Sequence, residues 1–301
     1  MKISIIGAGR VGVAVASQIL TKGIASELVL VARDLTRAQG EAIDLAHAQA
    51  LHPVPARVRA GGVEESAGSD LLVICASAGL EPGEVSRLTL GPRNTRLLEE
   101  LLPPLCGASP DALLLIVSNP VDVLTWQALR ISGWPPSRVF GTGTLLDSAR
   151  FRRALSDELK IHPDDLRAYI LGEHGESQFP AMSMAMAGAE PIDDTPSRRE
   201  LFRECAVVGI TIFLMKGHTN HGIAAATAVI AECIARDERR TMPLSVRVDG
   251  FCGVSDVCLS LPVVVGAGGV ERVLQPALSG VEREAFRHSA GIVRAAIDAC
   301  G

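Results

Sequence analysis

Lys2-Ile3-Ser4-Ile5-Ile6-Gly7-Ala8-Gly9-Arg10-Val11-Gly12 opens the chain. A β-branched run reads as a strand, and the glycines after it form a G-x-G-x-x-G that leads into a helix-periodic segment. In that context each glycine has a physical task. Gly7 permits a tight turn, Gly9 lets a pyrophosphate approach the backbone, and Gly12 lets helix and strand pack closely, with the helix N-terminus attracting the anion. Gly7, Gly9, Arg10, Val11 and Gly12 are therefore candidate residues for binding a dinucleotide. About 20 positions further on, a carboxylate is expected at the ribose 2′-hydroxyl. Ala32 and Arg33 stand there instead, followed by Asp34. A small residue before a guanidinium suits a 2′-phosphate, so Ala32 and Arg33 point to NADP use or tolerance. The alternative is an NAD protein in which Arg33 is solvated and Asp34 reaches back to the ribose.

Outward from this motif, β-branched runs at 27–31, 57–60, 70–75, 113–117 and 138–140 alternate with helix-length segments, 11–22 and 35–48 the clearest. That alternation predicts a Rossmann doubly wound parallel sheet, an α/β fold, over residues 1–141. The remainder, 142–301, reads as an α+β catalytic domain. It has helices over 145–160, 198–217 and 282–299, a short strand at 169–171, a loop and hairpin over 184–199, and antiparallel strands at 244–248 and 257–265.

The bulk properties exclude several classes. The chain has 301 residues, is 48% hydrophobic and has a net charge of −5, with room for about two domains. There is no Lys/Arg block, and one Tyr and seven Phe offer little stacking surface, which argues against nucleic acid as a partner. Seven cysteines without a CxxC read as free thiols in a reducing compartment. No signal peptide opens the sequence and no apolar run reaches the ~18 residues of a membrane span, so no membrane partner and a cytoplasmic location are expected. The seven histidines show no HExxH or clustered Cys/His spacing, so no metal is expected.

Four further segments carry chemistry: Ser86-Arg87, Ser118-Asn119-Pro120-Val121-Asp122, Leu146-Asp147-Ser148-Ala149-Arg150 and Gly172-Glu173-His174-Gly175-Glu176. With SNPVD, GTGTLLDSARFR and GEHGES in order and at matching spacing, the chain resembles the lactate/malate dehydrogenase family from first strand to last helix. The resemblance implies hydride transfer between a nicotinamide cofactor and a small 2-hydroxy or 2-oxo acid. Such a reaction needs a proton donor at the carbonyl oxygen, a clamp for the carboxylate and a cation that polarises the carbonyl. His174 matches the family's catalytic histidine, and histidine titrates near neutral pH. Asp147 is expected to orient it and stabilise its protonated form. Arg150, three residues on and on the same side of the helix, is expected to grip the substrate carboxylate. The resemblance makes Arg87 the mobile-loop arginine that polarises the carbonyl, and Asn119 a hydrogen-bond partner of the substrate oxygen. It also makes Thr219 a substrate-pocket residue and Ile223 the side chain that packs on the nicotinamide.

The loop Ala78-Gly79-Leu80-Glu81-Pro82-Gly83-Glu84-Val85-Ser86-Arg87 departs from the family pattern in its spacing. Substrate choice in the family is set there, and neither candidate position, Leu80 or Glu81, carries the positive charge of the malate enzymes. A second substrate carboxylate would be desolvated without a partner, which disfavours oxaloacetate. Pyruvate or a larger apolar 2-oxo acid is expected, with a malate dehydrogenase and a catalytically silent nucleotide-binding protein as the alternatives. The resemblance also implies a homodimer or homotetramer, and a sugar-bisphosphate effector site at Arg152 and Arg167.

Overall fold

A computed structural model of the protein describes residues 1–79 and 90–300. Its first half alternates strand and helix: β1 (Lys2–Ile6), α1 (Arg10–Thr21), β2 (Glu27–Val31), α2 (Leu35–Gln49), β3 (Arg57–Gly61), β4 (Leu71–Ile74), α3 (Gly91–Ala108), β5 (Leu113–Ile116), α4 (Val121–Ser132) and β6 (Val139–Gly141). These six strands are parallel in the order β3-β2-β1-β4-β5-β6, so the chain reverses its direction of progress across the sheet between β1 and β4. That reversal leaves a crevice at the carboxyl ends of the strands, where doubly wound sheets bind ligands. Ile3, Ile5, Leu28, Leu30, Leu71, Val73 and Leu115 point into one buried layer, and Ile6, Val29, Leu72, Ile74 and Leu114 into the other. Burial on both faces is why these strands read as continuous apolar runs rather than alternating ones.

The second half contributes α5 (Leu145–Leu159), short strands β7 (Leu166–Arg167), β8 (Ile170–Leu171), β9 (Phe179–Pro180), β10 (Met186–Ala187) and β11 (Glu190–Pro191), then α6 (Pro196–Lys216), α7 (His221–Ala235), β12 (Arg240–Asp249), β13 (Ser255–Gly266), β14 (Gly269–Val273) and α8 (Gly280–Asp298). β12, β13 and β14 form an antiparallel meander that joins β6 through Ser245 opposite Gly141, extending the sheet to nine strands. The parallel sheet and the antiparallel strands thus appear where the sequence predicts them, and the segment 184–199 holds the β10–β11 hairpin.

Sequence periodicity does not reveal α3, α4, α7 or β14. α3 carries Pro103 and Pro104 inside it, which a local reading takes as a break. α7 is apolar almost all round, because both α1 and the meander pack on it, so it shows no amphipathic stripe. Local chemistry explains the ends of other helices. Asp34 caps α2 by accepting from the Arg37 N–H at 3.0 Å, Thr195 caps α6, and Ser279 with Glu282 closes a capping box on α8. No helix among the described residues is long and apolar enough to cross a membrane.

Candidate active site

At the first βα turn, Gly7 has φ +106°, and a Cβ there would lie 2.7 Å from the Ala76 nitrogen. A Cβ on Gly12 would overlap the Gly7 carbonyl, whereas Gly9 faces open space at the start of α1. The turn therefore has its tight bend, its close helix–strand contact and an accessible backbone, which together fit a pyrophosphate group. Arg10 extends from the turn toward the start of α7, its Nη1 3.4 Å from His218 Nδ1. Ala32 is half-buried at the end of β2 and Arg33 is exposed beside it, while the Asp34 carboxylate is engaged in capping α2.

The acid–base candidates meet across the crevice from the glycine turn. α5 holds Asp147 in its first turn, 5% exposed, and the loop after β8 delivers His174 to it. The Nδ1 of His174 lies 2.6 Å from Asp147 Oδ2, and Arg150 Nη1 donates to Asp147 Oδ1 at 3.0 Å. One buried carboxylate thus engages both the imidazole and the guanidinium, which the i,i+3 spacing of Asp147 and Arg150 permits. α5 itself is anchored to the loop's strand, since Ser148 Oγ accepts from the Ile170 N–H at 2.8 Å and Thr144 Oγ1 donates to the Ile170 carbonyl at 2.5 Å.

His174, Arg150, Asn119, Thr219, Ile223 and Leu146 line a cavity of about 80 Å³, with Val11, Val117, Thr142 and Gly143. A second cavity of about 340 Å³ shares Val11, Val117, Asn119 and Thr219 and extends along Cys75, Ser77, Gly79 and Ser118 to Ile210, Phe213 and His218. The sites predicted at Asn119, Arg150, His174, Thr219 and Ile223 therefore converge, although they come from segments more than 100 residues apart. Leu80 and Arg87 lie outside the described residues. Arg152 is half-buried, with Nε lacking a hydrogen-bond partner among the described residues, and burial pulls its pKa down; Arg167 is exposed.

Two residues with marked roles in this geometry were not singled out from the sequence. Asn94 on α3, 1% exposed, accepts from the Ala78 N–H at 2.7 Å and donates to the Asn119 carbonyl at 2.7 Å, tying the segment after β4 to the one after β5. Asp122, in the first turn of α4 and 3% exposed, accepts from the His174 backbone N–H at 2.7 Å through Oδ2 and from Ser245 Oγ at 2.6 Å through Oδ1. Burial pushes its pKa up to about 6, against the pull of its two donors and of His174. A motif search had a handle only on the second, through the aspartate that ends SNPVD. Among the described residues, no group of three or more His, Cys, Asp or Glu could hold a metal ion.

Taken together, a glycine turn at the switch point of a doubly wound sheet and a buried His–Asp pair opening on the same crevice define a dinucleotide-binding oxidoreductase. Family models match along nearly the whole length: lactate/malate dehydrogenase, NAD binding domain, over residues 1–141, and lactate/malate dehydrogenase, alpha/beta C-terminal domain, over residues 144–300. The chain belongs to the lactate/malate dehydrogenase family and is an NAD-dependent enzyme of that family. It is 40% identical over 308 residues to an L-lactate dehydrogenase of Gloeobacter violaceus, covering 99% of this chain and 93% of that one. To L-lactate dehydrogenase A of Hordeum vulgare it is 42% identical over 304 residues, covering 96% and 84%. A ligand-bound crystal structure of a minor L-lactate dehydrogenase from Enterococcus mundtii superposes with a TM-score of 0.95 at 30% identity, over 100% of this chain and 98% of the other.

Proposed function

We propose that the protein interconverts pyruvate, or a larger apolar 2-oxo acid, with the corresponding 2-hydroxy acid. The observation that carries this reading is the joining of His174, Asp147 and Arg150 by short hydrogen bonds at one cavity whose other walls are apolar Val11, Val117, Leu146 and Ile223 together with Gly143 and the neutral polar Asn119, Thr142 and Thr219. Among the described residues of that cavity, Arg150 is the one guanidinium, enough for a single carboxylate. A second carboxylate, as in oxaloacetate, would be desolvated there without a charged partner. Relatives of both plant and bacterial origin are L-lactate dehydrogenases, which agrees with a monocarboxylate.

The cofactor would rest on Gly7, Gly9, Arg10, Val11 and Gly12, with Ile223 beside the nicotinamide, and when bound it supplies or takes up a hydride. The protein's part is positional and protolytic. Arg150 fixes the substrate carboxylate by a two-pronged ion pair, so that the carbonyl faces His174. His174 donates the proton to the developing alkoxide during reduction and takes it back during oxidation. Asp147 holds Nδ1, leaving Nε2 as the atom that faces substrate, and its charge favours the imidazolium. Asn119 and Thr219 offer neutral hydrogen bonds at the pocket, and Arg87 with Leu80 would complete it from the loop.

The finer assignments rest on particular side chains. Tolerance of NADP is supported by exposed Arg33 next to Ala32 and by the engagement of Asp34 as a helix cap. A sugar-bisphosphate effector at Arg152 and Arg167 is supported by the buried Nε of Arg152, which has no hydrogen-bond partner among the described residues. Exposed Leu35 and Ile43 on α2, with Val207, Ile210, Leu214 and Met215 on α6, support a homodimer or homotetramer. Unpaired cysteines favour a reducing, cytoplasmic setting. The two domains are taken as 1–141 and 142–301.

The test is oxidation of NADH and NADPH with pyruvate, oxaloacetate, 2-oxobutyrate, 2-oxoisocaproate and phenylpyruvate, beside His174→Asn. Turnover of the monocarboxylates, lost in the variant, is expected. Activity confined to oxaloacetate would refute the substrate assignment.

A further inference from the structure

We propose that Asp122 is a positioning residue that fixes the backbone of His174, as Asp147 fixes its ring. The inference rests on the acid–base role given to His174 above. Three elements meet at this carboxylate: α4, the loop after β8 and β12. Oδ2 accepts from the His174 N–H at 2.7 Å and Oδ1 accepts from Ser245 Oγ at 2.6 Å, so both oxygens are committed to holding elements together. Elsewhere the loop is pinned through its ends. Gly172 and Ser260 exchange both backbone hydrogen bonds, at 3.2 and 2.9 Å. Ser177 donates to Glu173, and Ser289 on α8 donates to the Ser177 carbonyl at 2.8 Å. Asp122 supplies the tie at the reactive residue itself.

A carboxylate at this position is costly. Asp122 is 3% exposed and its pKa is pushed up to about 6, since burial outweighs the hydrogen bonds from Ser245 and the His174 N–H and the attraction of the His174 ring. An apolar side chain would fill the space without that cost but would leave the His174 N–H unsatisfied and the loop free to shift. The titratable groups that bear on Asp122 are His174 and Glu173 of the loop, with Cys258 facing it from β13. Glu173 disfavours its charge and an imidazolium at His174 favours it. The attraction is mutual, so the Asp122 carboxylate also favours the imidazolium that donates the proton.

Asparagine separates the two contributions. Its Oδ1 can accept from the His174 N–H while Nδ2 donates to Ser245 Oγ, which preserves the geometry and removes the charge. The experiment uses the full chain with Asp122→Ala, Asp122→Asn and Ser245→Ala, reading pyruvate-reduction kinetics, NADH affinity by fluorescence, and the NMR titration of the His174 ring, assigned by its loss in His174→Asn. Asp122→Ala is expected to lower kcat by about 10- to 100-fold, the scale of a misplaced catalytic group, with NADH affinity retained. Asp122→Asn is expected to recover most of kcat while its His174 ring titrates at lower pH than in the parent. Ser245→Ala is expected to lose activity in the same direction and to a smaller extent. A parental kcat in Asp122→Ala, or an unchanged ring titration in Asp122→Asn, would overturn the proposal. Should the alanine variant not fold, Asp122→Asn and Ser245→Ala decide. A parent that turns over none of the 2-oxo acids would sink the functional reading, and the ring titration would still decide this one.

Discussion

Replacing Asp147 by asparagine keeps the shape of the side chain and removes the charge shared by His174 and Arg150. The parent carboxylate receives two charge-assisted bonds, 2.6 Å from the imidazole and 3.0 Å from the guanidinium. An amide has a single acceptor oxygen, so one donor must face its NH2 group. Losing one hydrogen bond to a charged group costs about 1.5–3 kcal/mol. The lost attraction between carboxylate and imidazolium is worth about 4 kcal/mol at 4 Å and an effective dielectric constant of 20, and overlaps with the first figure. A net loss of about 3–4 kcal/mol in the transition state corresponds to roughly 150- to 1,000-fold in kcat for pyruvate reduction. Stopped-flow single turnovers at saturating NADH would isolate the chemical step, with NADH affinity as the folding control. A reduction of less than about tenfold in a folded variant would refute the idea that this carboxylate stabilises the proton donor.

Other expectations follow from the same geometry. Arg150→Lys should raise KM for pyruvate by about 30-fold or more, since an ammonium cannot replace a planar two-pronged contact worth about 2 kcal/mol; a twofold change would argue against the clamp. Ala32→Asp, placing a carboxylate at the end of β2, should abolish use of NADPH and spare NADH, and equal effects on both would show that the 2′ position lies elsewhere. The raised pKa of Asp122 has a consequence for stability. The folded state holds this proton up to about pH 6 and the unfolded chain releases it near the ordinary value of 3.8, so the cost of the buried charge is absent below that value and complete above pH 6. The stability difference of Asp122→Asn over the parent should therefore rise by up to about 3 kcal/mol between pH 4 and pH 7 in urea melts; a flat difference would contradict the burial argument. Cys75 lines the larger cavity, and burial pushes its thiol up to about 12. It should resist iodoacetamide at pH 8 in the folded protein, and rapid alkylation there would show a more open site.

What the sequence by itself determined is what local chemistry dictates over short stretches. The glycine turn needs only its own strand and helix. Asp147 and Arg150 need only the turn of helix that separates them, and the apolar runs of the parallel strands announce burial on both faces. The motifs at Asn119, Asp147, Arg150 and His174 were legible one by one. Their assembly was not, because His174 Nδ1 meets Asp147 through the packing of the loop after β8 on α5, and neither segment encodes the other's position. Asn94 and Asp122 belong wholly to the tertiary structure. An asparagine in a helix and an aspartate at a helix start have ordinary local explanations. Only the fold sets Asn94 between two crossover loops, and brings Asp122 within 2.7 Å of a backbone N–H 52 residues away and 2.6 Å of a hydroxyl 123 residues away. The same physics hid α7, which packs against both α1 and the meander and is apolar almost all round, leaving no stripe in the sequence to betray a helix. Periodicity records contact with water, and a residue's partners across the core leave no period.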